Sequence, residues 1–216
     1  MSLAAFKRPF GARALPGILL SMIPIIGFFA FGYKLLCART AMTGDYRLPG
    51  WKEWKAIFIF GLGGRILQAI YLLPCAISFY LLWRINQNPV TTLLAYIKSI
   101  EGLLIAFFIL GLIAAIFCPA SILNFVAEGS FKQAFSFQVL KRMATWSYVA
   151  GWFWAFFYNL LIIGILYTLL YFVGVAASMF WMYLFVPVMY ILLFLPGITT
   201  WTLLGEHWGE AIQKRQ

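Results

Sequence analysis

Gly32-Tyr33-Lys34-Leu35-Leu36-Cys37-Ala38-Arg39-Thr40-Ala41-Met42-Thr43-Gly44-Asp45-Tyr46-Arg47-Leu48-Pro49-Gly50-Trp51-Lys52-Glu53-Trp54-Lys55 is a basic, aromatic elbow between two long apolar runs. Thr43-Gly44-Asp45 is a turn signal, and Leu48-Pro49-Gly50 restarts the chain in a new direction. Apolar sequence on both sides, with Trp, Tyr, Lys and Arg gathered at the break, is the pattern of a chain turning at a membrane surface.

The rest of the chain agrees. Of 216 residues, 64% are hydrophobic and 19% aromatic, and only 10% are charged. Soluble domains hold about 25% charged residues, so this composition excludes a water-soluble fold. The formal net charge of +10 lies mostly in the joints between apolar runs, where it orients the chain and meets anionic headgroups. The expected partners are therefore membrane lipids and other membrane-protein subunits, not nucleic acid.

Cys37, Cys75 and Cys118 are far apart and odd in number, so neither a disulfide framework nor a zinc spacing can be read from them. Lys7, Arg8 and Arg13 before the apolar run from Leu15 to Phe31 imitate a signal peptide. Lys34 interrupts that run, however, and Leu36 is too large to precede a cleavage site, so the segment is expected to stay in the membrane.

Five segments are long enough to cross a hydrocarbon core of about 30 Å: 15–38, 57–83, 102–126, 147–172 and 176–204. They are continuously apolar and do not alternate as barrel strands would. The expected fold is an all-α, polytopic transmembrane helix bundle forming one integral membrane domain over 1–216. Pro16 and Pro24 predict a bent or re-entrant first segment.

Two joints carry amphipathic patterns. Trp51, Trp54 and Phe58 share one helical face and Lys52, Glu53 and Lys55 the other, which predicts an interfacial helix over 51–60. After Gly129, with Ser130 as its cap, Phe131, Phe135 and Val139 face one way and Lys132, Gln133 and Ser136 the other. Lys141 and Arg142 close this second helix, 131–143. The order of proline-bearing span, Gly turn, aromatic amphipathic helix and long span occurs in 15–83 and again in 102–172, a degenerate internal repeat.

Gly32-Tyr33, Arg39, Gly44, Leu48-Pro49-x-Trp51-x-x-Trp54, Gly61-Leu62, Tyr71-Leu72-Leu73-Pro74 and Gly129-Ser130-Phe131-x-x-Ala134-Phe135 resemble the small polytopic membrane proteins of bacteria and archaea grouped as domain of unknown function 4013. The resemblance implies the architecture and no catalytic residue.

With five spans, one side receives Lys34, Arg39, Arg47, Lys52, Lys55, Lys132, Lys141, Arg142, Lys214 and Arg215, and the other Lys7, Arg8, Arg13, Arg84 and Lys98. The positive-inside rule makes the first side cytoplasmic, with the C-terminus in and the N-terminus out. A re-entrant first segment would instead place the N-terminus in the cytoplasm. Tyr33, Trp51, Trp54, Trp146, Tyr148, Trp201 and Trp208 are expected in the cytoplasmic aromatic belt, and Tyr71, Tyr80, Trp83, Tyr96, Tyr171 and Trp181 in the opposite one. The location is a prokaryotic-type inner or internal membrane.

Small residues recur four apart at Gly102/Ala106, Gly111/Ala115, Gly151/Ala155 and Gly174/Ser178, a spacing that lets helices approach closely. Arg65 is the one cation placed well inside a span, where a charge costs about 2.5–3.5 kcal/mol. Either it snorkels to the cytoplasmic level or it pairs with Glu128 or Glu53 across a cavity.

Little else suggests chemistry. His207 has no second metal ligand nearby in sequence, the glycines at 61, 63 and 64 miss phosphate-loop spacing, and the six acids are scattered. No catalytic, cofactor or metal residue is assigned, and no cofactor is expected. The expected function is a non-enzymatic membrane subunit or assembly factor. The alternative is a small transporter, permeation or lipid-handling protein.

Overall fold

A computed structural model describes residues 3–10, 14–21, 27–87, 93–176 and 179–213. Arg13, Pro24, Ser178, Lys214 and Arg215 lie outside the described residues, as do the side chains of Tyr96, Lys98 and Trp181. The elements are α1 (Leu3–Lys7) with a 3-10 turn at Arg8–Phe10, α2 (Leu15–Ser21), α3 (Gly27–Met42), α4 (Trp54–Gln87), α5 (Leu93–Glu128), a 3-10 turn at Phe131–Phe135, α6 (Phe137–Met143), α7 (Trp146–Ala176) and α8 (Met179–Gln213). Among the described residues there is no strand.

Three helices are long and apolar enough to cross a membrane: Trp54–Ile85, Glu101–Glu128 and Trp146–Leu169. Their surfaces are those of lipid-facing helices, with Phe108, Leu161 and Ile163 all exposed.

The centre of the molecule is α3. Its Ala30, Phe31, Tyr33, Leu35, Leu36, Cys37, Ala38 and Ala41 are all buried, and α4 and α8 pack along it with α2 and α5 beside them. Apart from Lys34, Arg39 and Thr40 its side chains are largely apolar, which suits a core position. Glycines set its close crossings. A Cβ on Gly32 would strike the Ile57 carbonyl and one on Gly61 the Phe28 carbonyl, so α3 and α4 meet backbone to backbone. Gly205 and Gly209 of α8 lie in the same way on Ala38 and Met42.

Of the small-residue pairs expected from spacing, Gly151/Ala155 packs inside, with Gly151 against the His207 ring and Ala155 buried. Gly102 and Gly111 have nothing within 4 Å of a Cβ position.

The turns are where the sequence predicts them. Gly44 ends α3 at φ 77° and Gly129 ends α5 at φ 69°. Asp45 N–H donates to the Thr40 carbonyl and Gly44 N–H to the Ala41 carbonyl, both at 3.0 Å, the paired bonds that close a helix on a left-handed glycine. Ser130 takes the extended cap conformation without a side-chain capping bond.

The proline in α5 is compensated by neighbours. Pro119 inside α5 leaves the carbonyl four residues before it without its helical donor. That carbonyl, on Ala115, accepts from Trp152 Nε1 at 2.9 Å, and the adjacent Ile116 carbonyl from Tyr148 Oη at 2.7 Å. Two aromatic donors thus tie α7 to the stretch of α5 before Pro119.

Three expectations are corrected. The segment 131–143 is not one helix: the 3-10 turn Phe131–Phe135 ends at Ser136, whose backbone is extended, and α6 begins at Phe137. The segment 51–60 is not a separate helix: Trp51 lies in a turn, and α4 runs from Trp54 to Gln87 with Pro74 inside it. The segment 15–38 is not one helix. It contains the separate helices α2 and α3, and Arg8, which precedes it, hydrogen-bonds to Cys37, Thr40 and Arg47, which end and follow it. Residues before and after this segment are therefore in contact.

Candidate functional site

Tyr33 is buried rather than belted. Its ring stacks on Trp51 with centroids 4.3 Å apart and planes 4° apart, and its hydroxyl donates to the Pro49 carbonyl at 3.2 Å. Tyr148 and Trp208 are also buried, packed edge to face at 5.3 Å. These three rings were expected at the interface. They hold the core because each meets a second aromatic ring there.

Two arginines tie the joints together. Arg8 is only 4% exposed. Its Nη1 donates to the Cys37 carbonyl at 2.8 Å and to Thr202 Oγ1 at 3.3 Å, and its Nη2 to the Arg47 carbonyl at 2.8 Å and to Thr40 Oγ1. One planar fork therefore joins the N-terminal segment to α3, the elbow and α8. Burial lowers the Arg8 pKa from its ordinary value, opposed by Cys37, Tyr33, Asp45 and Tyr46. The group stays charged.

Arg142 does the same work in the second joint. It donates to Asn124 Oδ1 and, at 2.9 Å, to Glu128 Oε1. Asn124 is fully buried and passes its own amide protons to the Gln133 carbonyl at 2.6 Å and Ser136 Oγ at 3.2 Å. Glu128 is thus engaged by Arg142, and the structure does not bring it to Arg65.

The other interface residues divide by side. Trp54, Lys52 and Lys55 are exposed, and Trp54 meets Phe29 edge to face at 5.6 Å. Phe131 and Phe135 contact one another and reach Phe125 and Tyr71. Lys141 lies over the Phe137 ring at 5.5 Å and is exposed.

Arg65 lies over the Phe31 ring, 4.6 Å from its centroid, and donates to Gln68 Oε1 at 3.0 Å. It opens onto a cavity of about 200 Å³ that Lys34 shares, lined also by Gly27, Ala30, Phe31, Leu193 and Phe194. Lys34 Nζ stands 5.1 Å from the Phe194 centroid, in space left by Gly197. Among the described residues neither cation is paired with a carboxylate. Arg65 was legible as an intramembrane charge. Lys34 was counted among the joint cations, and no signal in its own stretch points to Phe194 or Gly197, far along the chain.

Ser147, His207 and Glu210 form the most reactive-looking cluster. Ser147 Oγ is 2.6 Å from Glu210 Oε2, 3.1 Å from the His207 carbonyl and 3.5 Å from His207 Nδ1. A nucleophile relay needs serine and carboxylate on opposite ring nitrogens. Here both face Nδ1, Glu210 Oε2 being 3.7 Å from it, while buried Nε2 meets no partner among the described residues. The cluster ties α7 to α8 and does not activate Ser147.

Among the described residues no three His, Cys, Asp or Glu side chains gather to hold a metal. The three cysteines are free, and Cys37 is wholly buried. A second cavity, of about 250 Å³, lies between the N-terminal segment, α7 and α8, lined by Phe6, Pro9, Tyr158, Leu166, Leu195 and Thr199 among others.

An all-helical chain with lipid-length apolar helices, packed on a buried central helix and tied at its joints by arginine, has the build of a polytopic membrane protein. The chain belongs to the family described as protein of unknown function (DUF4013), whose model matches residues 17–176, from α2 through α7. No curated protein and no solved structure matches it.

Proposed function

We propose that the protein is a non-enzymatic integral-membrane subunit or assembly factor that packs against partner transmembrane helices and lipid. The carrying observation is the open small pairs of α5, Gly102/Ala106 on one face and Gly111/Ala115 on the opposite one. Gly32, Gly61, Gly205 and Gly209 are all used in close internal crossings, whereas Gly102 and Gly111 have open space around them. In lipid, where apolar surface gives helices no reason to associate, such a face serves close backbone contact with another helix.

The topology that goes with this reading has four crossings, α4, α5, α7 and α8, with α2 and α3 entering and leaving on one side. The elbow, the 129–145 joint and both chain ends are then cytoplasmic. All basic residues except Arg84 and Lys98 fall on that side, Arg65 at its membrane boundary, a stronger asymmetry than a five-span layout has. Lys52, Lys55, Lys132 and Lys141 would meet anionic headgroups there.

The test is purification from the native membrane in mild detergent. A stoichiometric complex that is lost on Gly102→Leu with Ala106→Leu, in a protein that still folds, supports the subunit reading. An isolated protein whose loss impairs movement of a solute or lipid supports the transporter reading, which the Lys34–Arg65 cavity favours.

A further inference from the structure

Lys34 and Arg65 come from different helices, α3 and α4, yet open onto one cavity, and Phe194 of α8 closes it from a third side. Two like charges facing one space repel. Among the described residues no acid balances them. Aromatic faces hold both cations by their stems and planes, Phe194 under Lys34 and Phe31 under Arg65. Those contacts aim the charges without neutralising them.

The depth of the cavity identifies what would neutralise them. Arg65 and Arg84 lie on the same helix, about 28 Å apart at 1.5 Å per residue, close to one hydrocarbon thickness. With Arg84 at one headgroup boundary, Arg65 lies at the other, on the side of Trp54 and the elbow. The exposed Leu62 and Ile66 flank Arg65 on α4, and Leu193 is exposed beside Phe194, so an anion at this level would have apolar surface next to it.

We propose that Lys34 and Arg65 form a binding site for a phosphate group, that of an anionic phospholipid headgroup whose acyl chains lie along α4 and α8. Arg supplies a planar fork to two phosphate oxygens and Lys a point charge to a third. Gly197 is part of the site, because a side chain there would displace the Lys34 ammonium. The site stands whether or not α5 binds a partner helix.

The experiment is native mass spectrometry with thermal unfolding of the purified chain in non-ionic detergent, titrated separately with short-chain phosphatidylglycerol, phosphatidylcholine and inorganic phosphate. The expected result is retention of phosphatidylglycerol and a raised unfolding temperature, with little response to the other two. Lys34→Met and Arg65→Gln should each weaken retention by about tenfold or more, the scale of one charge-assisted hydrogen bond. Arg65→Lys should lose less. Inorganic phosphate binding that is equally sensitive to both variants supports the same site and assigns its anion to solution. Equal retention of phosphatidylglycerol by the parent chain and by both variants, all unfolding at the parent temperature without lipid, overturns the proposal. So does equal retention of phosphatidylcholine.

Discussion

Arg8 Nη2 donates to the carbonyl of Arg47 at 2.8 Å, joining the residues that precede and follow the first apolar segment. An arginine before a hydrophobic run ordinarily reads as an orientation signal in water. Here it is a buried strut, and the contact supports the proposed arrangement in which that run enters and leaves on one side.

Arg8→Gln should therefore destabilise the fold by about 3 kcal/mol or more, because several charge-assisted bonds go and the Cys37 and Arg47 carbonyls lose a donor. Arg8→Lys should recover only part of this, since an ammonium cannot reproduce the fork to Thr40, Thr202 and the two carbonyls. Thermal unfolding in detergent reads both. Parent stability in Arg8→Gln would mean the residue is a surface charge after all.

The second joint should divide its energy unequally. Arg142→Gln and Asn124→Ala each strip a donor or acceptor from a buried network, and each should cost about 2 kcal/mol. Glu128→Gln should cost under about 1 kcal/mol, because its side chain is 36% exposed against 14% for Arg142 and solvent screens the pair. A larger loss from Glu128→Gln than from Asn124→Ala in the same unfolding assay would reverse this order.

Glycines should separate by crossing. Gly205→Val and Gly209→Val press a side chain into the α3 backbone and should cut the yield of folded protein, with about 1–3 kcal/mol of overpacking each. Gly102→Ala meets open space and should be neutral or stabilise α5 by up to about 1 kcal/mol. Gel filtration and unfolding temperature check the contrast. Tolerance of both valines would remove the α3–α8 crossing from the account.

The all-helical membrane build was legible because apolar runs longer than 20 residues have few other solutions. The turns at Gly44 and Gly129 were legible because the chain needs positive φ at a helix end there. What the sequence hid was which member of a repeated type does which work. The pair Gly205 and Gly209 has the same spacing as Gly102 and Ala106, but only the crossing partner tells internal packing from an open face. Arg8 and Lys34 have the same composition signal as Lys52 and Lys55. Burial by Thr202, Phe194 and Gly197, all on α8, sets them apart, and such contacts between distant parts of the chain leave no local trace. The continuity of α4 through Trp54 was obscured because its first turns are amphipathic at their surface and helical throughout.

The re-entrant first segment is the proposal on which the topology and the cytoplasmic grouping of basic residues depend. Single cysteines at Ser2, Gly50 and Asn88, in a chain with Cys37, Cys75 and Cys118 replaced by Ala, can be labelled in sealed vesicles of known orientation with a membrane-impermeant thiol reagent. The account predicts that Ser2→Cys and Gly50→Cys react from the cytoplasmic face and Asn88→Cys from the opposite face. Labelling of Ser2→Cys and Gly50→Cys from opposite faces would contradict it, since a chain that crosses between them cannot also place Arg8 on the Arg47 carbonyl.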